Sequence, residues 1–313
     1  MGVGHLGWLG RRRALAPLVA AVTAMVALCL PGTAFASPVS PLSGTYVALG
    51  DSYTSGPLIP NQETDPLLCF RSTHDYPALL DQALHPAAFD DVSCSGATSV
   101  DMTQAQPLIS GTVPLGHNAP QFDALNAKTT LVTLGIGGND IDFGGIALTC
   151  LVLSSTAPSG SPCEQHFVQN GVDLLRQRIA ALGPQLASVL AGIRQRAPNA
   201  LVMVVGYPDI LPVSGPGCYP AVPIASGDVA YLNGIEKALN LMLATETVDH
   251  GDVYVDTYHS SIGHDVCQPA GTKWIEGVIP TDPAFPIHPN ELAMQNDANQ
   301  AVSALEAAVS PET

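Results

Sequence analysis

Four short segments of this 313-residue chain carry side chains that could together perform acyl transfer. The first is Tyr46-Val-Ala-Leu-Gly-Asp-Ser52-Tyr-Thr-Ser-Gly56, an apolar run that ends in Gly-Asp-Ser. A serine just past the end of a buried strand is rigidly held yet exposed, as a nucleophile must be. An isolated Gly-Asp-Ser is equally an ordinary turn or a helix N-cap, so the tripeptide gains its weight from the other three segments. Cys94-Ser-Gly96-Ala-Thr98 offers a glycine whose backbone N–H can approach a ligand closely. Gly135-Ile-Gly-Gly-Asn139-Asp140 offers an amide with two donor hydrogens. Phe285-Pro-Ile-His288-Pro-Asn290 offers an imidazole in a proline-bounded loop.

The chemistry requires this combination. A serine hydroxyl is a poor nucleophile at neutral pH and needs an adjacent base, the role open to His288. The tetrahedral intermediate carries a negative oxygen, which fixed donors must meet; the backbone N–H groups of Ser52 and Gly96 and the Asn139 amide are the candidates. Asp51 and Asp140 read instead as structural carboxylates accepting loop N–H groups.

These residues need a scaffold. Tyr46–Gly50, Leu131–Gly135, Leu201–Gly206 and Val253–Asp256 are apolar runs without polar alternation, which predicts buried parallel strands. A shorter fifth strand is expected near Asp91–Ser93. Gln169–Ala197, Asp228–Thr247 and Asn290–Val309 carry helical patterning, with Gly183-Pro184 a point of kinking or division in the first. The alternation predicts a three-layer α/β/α sandwich around a mostly parallel, five-stranded, flavodoxin-like sheet. In a 2-1-3 strand order the topological switch lies between the first and third strands, which would set Ser52 beside Asn139.

The N-terminus reads as a processing segment. Arg11-Arg12-Arg13 precede an apolar run from Ala14 to Leu30, and Ala34-Phe35-Ala36 supplies a small-x-small cleavage pattern. Residues 1–36 are therefore expected to be a cleaved signal peptide, with both Sec and twin-arginine export open, and 37–313 a single secreted domain. Cleavage removes three arginines and no acid, so 8 basic residues face 27 acidic ones, a balance of −19. Such a surface disfavours nucleic acid and anionic bilayers, and no later segment is apolar enough to predict a membrane span. The mature chain is expected to be a monomer.

With Cys29 in the signal segment, six cysteines remain, an even count that reads as three disulfides in an exported chain. Sequence alone does not choose the pairing. The sequential set Cys69–Cys94, Cys150–Cys163 and Cys218–Cys267 is preferred because each bridge would tie down one loop. There is no Cys-x-x-Cys and no clustered Cys/His spacing, so neither metal nor cofactor is expected. His250, His259 and His264 read as surface or hydrogen-bonded histidines.

Taken in order, the four segments resemble the SGNH hydrolase superfamily, the GDSL esterases and lipases, across essentially the whole mature chain. The resemblance implies that Ser52 is the nucleophile, that His288 is the base, and that Ser52, Gly96 and Asn139 form the oxyanion hole. The six cysteines and Gly263-His264-Asp265-Val266-Cys267 resemble the secreted bacterial lipase and esterase branch, which implies sequential disulfides.

One position departs from the family. The usual acid stands three residues before the histidine, and here Phe285 occupies that place. Either Asp282 folds back to the imidazole, or a backbone carbonyl at Phe285 or a neighbour orients the ring. Pro283 and Pro286 stiffen the intervening chain and favour the carbonyl.

The expected activity is carboxylic-ester hydrolysis, with lipid acyl esters favoured over carbohydrate or cell-wall O-acetyl groups. A non-catalytic binding protein would have little reason to keep Ser52, Gly96, Asn139 and His288 together. Trp274, Ile275, Ile279, Phe285 and Ile287 could line an acyl pocket or equally pack beneath the late loop.

Overall fold

Thr45–Gly50 (β1), Ala88–Asp91 (β2), Thr129–Gly135 (β3), Leu201–Val205 (β4) and Val253–Val255 (β5) form one parallel sheet in the order β2-β1-β3-β4-β5. The computed structural model describes residues 1–2 and 40–310. Apart from Met1 and Gly2, the expected signal segment and Cys29 lie outside the described residues. Among the described residues eight α-helices follow: Ser52–Ser55 (α1), Tyr76–Leu84 (α2), Phe143–Ser154 (α3), Pro162–Phe167 (α4), Leu174–Arg196 (α5), Val229–Asp249 (α6), Thr257–Ser261 (α7) and Glu291–Val309 (α8).

Successive strand residues point to opposite faces, and here both faces are covered. Tyr46 and Ala48 of β1 enter a core shared with Tyr76 and Leu80 of α2 and Met294 and Leu305 of α8. Val47 and Leu49 enter the other core, with Leu186 and Leu190 of α5 and Leu239 and Leu243 of α6. Double coverage is why the central strands β1, β3 and β4 show no polar alternation. The expected three-layer sandwich is present, and its switch point lies between β1 and β3, where Gly50 pairs with Gly135.

Several boundaries differ from the sequence expectation. β2 lies mostly before Asp91, although Val92 still donates to the Ala48 carbonyl. The helix α5 starts at Leu174 because Val168–Gln169 and Val172–Asp173 first form a small hairpin, and the Asp173 carboxylate caps the new helix at Leu175 and Arg176. Pro184 lies inside α5 without dividing it. The helix α3 was not expected: Phe-Gly-Gly-Ile-Ala-Leu-Thr-Cys-Leu-Val-Leu-Ser is apolar around most of its circumference and shows no one-sided period. A hairpin, Gln106–Ser110 with Val113–Asn118, was also unforeseen.

Three disulfides join Cys69 to Cys94, Cys150 to Cys163 and Cys218 to Cys267, the sequential pairing. The first fastens the exit of β2, the second joins α3 to α4, and the third joins the loops carrying Val222 and Val266. Among the described residues no helix is long and apolar enough to cross a membrane, and no group of three or more His, Cys, Asp or Glu could hold a metal ion.

Candidate active site

The site starts at the end of β1. Gly50 has φ 156°, and a side chain there would run into Thr54 and the Gly135 carbonyl, so only glycine fits. The buried Gln121 side chain closes this strand end, accepting from Gly50 N at 2.8 Å and donating to Gly50 O at 2.9 Å. Asp51 then caps α1: its Oδ1 accepts from Tyr53 N at 2.9 Å. Its Oδ2 accepts from the Tyr207 hydroxyl at 2.6 Å, and that hydroxyl accepts from Gly138 N at 2.7 Å. Asp51 is thus the structural carboxylate expected, and it ties the serine turn to the Asn139 loop. Burial raises its pKa to about 7, against the lowering pull of the bonds from Tyr207 and Tyr53.

Ser52 is the first residue of α1, and its Oγ lies 2.9 Å from His288 Nε2, across 236 residues of sequence. His288 Nδ1 lies 2.9 Å from the carbonyl oxygen of Pro286. A carbonyl can only accept, so Nδ1 carries the proton and Nε2 presents its lone pair to the serine hydroxyl. Burial pushes the His288 pKa down to about 4, against the raising effect of the Pro286 carbonyl.

The ring's partner is therefore Pro286 and not Phe285, whose carbonyl accepts the main-chain N–H of His288 at 3.1 Å. Ile287 between them is in the left-handed region at φ 59°, and this reversal turns the Pro286 carbonyl toward the ring. Among the described residues no hydrogen bond joins Asp282 to His288, and Asp282 Oδ2 is buried without a partner. Tyr53 steadies the reversal by donating to Ile287 O at 2.8 Å, and its ring lies 5.0 Å from the imidazole.

Glu276 holds the base of the same loop. Its carboxylate accepts from Thr281 N at 2.7 Å and Asn290 Nδ2 at 2.9 Å and pairs with Lys273 Nζ at 3.1 Å. Its backbone N–H donates to His288 O at 2.9 Å. Burial alone would raise the Glu276 pKa; the bonds from Thr281 and Asn290 and the Lys273 ammonium outweigh it and hold the carboxyl below its ordinary range.

The three candidate oxyanion donors come from three loops. Among the described residues the N–H groups of Ser52 and Gly96 have no acceptor. One hydrogen of the Asn139 amide goes to Ala97 O at 2.9 Å, which leaves the other free. Gly96, at φ 81°, is exposed and held from several sides. Cys94 N donates to Gly50 O at 3.0 Å, and Gln106 Nε2 donates to Ser95 O at 2.9 Å. Asp140 accepts from Ser99 N and Oγ, which locks the Gly96 loop to the Asn139 loop.

Ser52, Asn139 and His288 line a cavity of about 330 Å³ whose other walls are mostly apolar, among them Ile146, Leu211, Val222, Ile224 and Leu239. Phe285 and Ile287 line it. Trp274, Ile275 and Ile279 do not: Trp274 stacks on His264 with centroids 3.7 Å apart, Ile275 is core, and Ile279 is 83% exposed. The histidines considered for metal binding stand apart, with the Nδ1 of His250 on Glu246 O, that of His259 on Asp256 and that of His264 on Thr272 O.

The residues that sequence reasoning missed are Tyr53, Gln121, Tyr207 and Glu276. Each acts by holding a distant loop, and nothing local in the sequence marks such a partner.

A model of the GDSL-like lipase/acylhydrolase family matches residues 48–295. The chain is 37% identical over 299 residues to Lipase 2 of Streptomyces coelicolor, a match spanning 94% of this chain and 97% of that protein. Among solved structures it is similar to phospholipase A1 from Streptomyces albidoflavus NA297, with a TM-score of 0.68 and 30% identity, over 84% of this chain and 99% of that one. The extracellular lipase from Streptomyces rimosus gives a TM-score of 0.67 and 29% identity, over 84% and 100%. The chain belongs to the GDSL-like lipase/acylhydrolase family and is a carboxylic ester hydrolase.

Proposed function

We propose that the protein hydrolyses lipid acyl esters through an acyl-serine intermediate, using a Ser52–His288 dyad oriented by the Pro286 carbonyl. The observation that carries the reading is His288 itself, bonded through Nδ1 to Pro286 O and through Nε2 to Ser52 Oγ, both at 2.9 Å, on the wall of a largely apolar cavity. His288 takes the Ser52 proton as Oγ attacks the ester carbonyl. The N–H groups of Ser52 and Gly96 and the Asn139 amide receive the oxyanion. His288 then gives its proton to the leaving alcohol. Water, activated by the same imidazole, attacks the acyl-serine and releases the acid.

The apolar cavity supports an acyl chain as the group bound beside Ser52. The similarity to a phospholipase A1 and to lipases supports glycerolipid acyl esters over sugar acetates. Export with loss of residues 1–36 is part of the same reading, supported by the Ala34-Phe35-Ala36 site and by three disulfides, which persist in oxidising compartments. One chain supplies Ser52, His288 and the donor loops, which supports a monomer.

The test is a panel of esters from acetyl to stearoyl with a phospholipid included, run beside fluorophosphonate labelling. Labelling at Ser52 with a preference for longer acyl groups is expected. Activity confined to acetylated glycans would overturn the lipid reading, and no labelling at Ser52 would overturn the acyl-serine.

A further inference from the structure

Apart from Ser52, His288 and the Asp51, Tyr53 and Tyr207 groups around them, the cavity has among the described residues one ionisable group on its wall, Glu236 of α6. Its level is fixed by its neighbours. Asn240, one turn along the same helix, bonds both the N–H and the carbonyl of Tyr207, beside Asp51. Glu236 accepts from Ile210 N at 3.2 and 3.3 Å through its two oxygens. Leu232, a further turn on, lines the same cavity, as do Leu211, Val222 and Ile224. Glu236 thus stands about one helical turn, roughly 5.4 Å, along α6 from the level of Tyr207 and a turn short of Leu232.

The group is short of partners. A carboxyl has about four acceptor positions, and among the described residues a single N–H serves both oxygens at long distance. Behind it Asp209 is fully buried, with Oδ2 unpartnered. Burial, reinforced by the Asp209 charge, pushes the Glu236 pKa well above the ordinary carboxylate range. A bare alkyl chain passing this point would seal an under-bonded carboxyl against hydrocarbon, which is unfavourable. A hydroxyl suits the position whether the carboxyl is ionised or protonated, because it both donates and accepts.

We propose that Glu236 is a subsite for a hydroxyl carried on the acyl chain, so that the pocket selects hydroxyacyl esters over unsubstituted esters of the same length. The inference rests on reading the cavity as the acyl pocket.

The experiment compares kcat/KM for ethyl acetate, ethyl decanoate and the monohydroxylated decanoate isomers, followed by acid release. The wild type should prefer one mid-chain hydroxy isomer over decanoate by about tenfold. Glu236→Leu should erase that ratio, largely by improving decanoate, while Glu236→Gln, which still donates and accepts, should keep most of it. Thermal unfolding and fluorophosphonate labelling confirm that each variant is folded. Leu232→Trp, which takes up space in the cavity, should lower decanoate hydrolysis at least tenfold more than acetate hydrolysis. Equal loss on both substrates would sink the acyl-pocket reading. A selective loss in Leu232→Trp, combined with a hydroxyl preference that is absent or survives in Glu236→Leu, would overturn the hydroxyl subsite alone.

Discussion

The carbonyl oxygen of Pro286 lies 2.9 Å from Nδ1 of His288 and is the acceptor that sets the tautomer of the ring. A neutral carbonyl fixes the tautomer but stabilises the imidazolium less than a charge would. Asp282→Asn should therefore keep most of the activity, since no bond joins that side chain to the ring. A loss beyond about a thousandfold in a folded variant would restore Asp282 as a triad acid. Phe285→Asp is the converse. Phe285 is 47% exposed, with its ring edge-on to the imidazole at 5.2 Å. A carboxylate there should raise the His288 pKa, seen as an acid limb of kcat/KM moved to higher pH.

Ser52 and His288 should behave as one unit. Ser52→Ala and His288→Ala should each reduce kcat nearly as far as the double variant does, with the fold intact by thermal melting. Losses that multiply across the two sites would mean the two side chains act separately.

Asn139→Ala should lower kcat by ~10²–10³ with little change in KM, because its free amide hydrogen meets charge only as the oxyanion forms. The variant also loses the bond to Ala97 O, so a change confined to KM would assign Asn139 to loop positioning instead.

How legible the site was depended on how local its signals are. Ser52, Gly96, Asn139 and His288 stand in short segments that follow apolar runs or precede a helix, and those segments could be read one at a time. The parallel, doubly covered sheet was inferable because its central strands are largely apolar and its crossovers are helical. Proline on either side favoured a carbonyl as the partner of the imidazole, but which carbonyl was not legible, because it depends on the positive φ of Ile287, a β-branched residue that gives no sequence sign of left-handed backbone. Tyr207 and Gln121 were hidden for another reason. Each closes a bond spanning 69 residues or more, to Gly138 or Gly50, and nothing near it in the sequence points to so distant a partner. Phe285 and Ile287 were separable from Trp274 and Ile279 only once the course of the loop was known.

The pH profile follows from the half-buried imidazole. With a pKa of about 4 in the folded protein, His288 is neutral and able to accept the Ser52 proton well below pH 6. On a soluble short-chain ester, kcat/KM should stay near its plateau at pH 5.5 and fall with an acid limb near 4; a limb near 6.5 would contradict the desolvated base. The same shift affects stability. The unfolded chain binds this proton at about 6.5 and the folded chain only near 4, so the His288 contribution is full above about 6.5 and declines as pH falls toward 4. His288→Gln should flatten that part of the stability curve.

The Lys273–Glu276 pair is the last test, because it asks whether the His288 loop is held by charge. Both side chains are buried, and Glu276 joins Lys273, Thr281 and Asn290 beneath the segment that ends in His288. Glu276→Gln keeps the shape but leaves the Lys273 ammonium without a counter-charge, which should cost about 3–5 kcal/mol by urea unfolding. Lys273→Met combined with Glu276→Gln removes the stranded charge and should recover a substantial part of that loss. If the pair also positions the base, the double variant should remain slower in kcat at full foldedness while KM barely moves, because the Glu276 backbone bond to His288 O depends on where that loop sits. Wild-type kcat in a folded double variant would mean that Tyr53 and the Pro286 carbonyl alone hold the imidazole against Ser52.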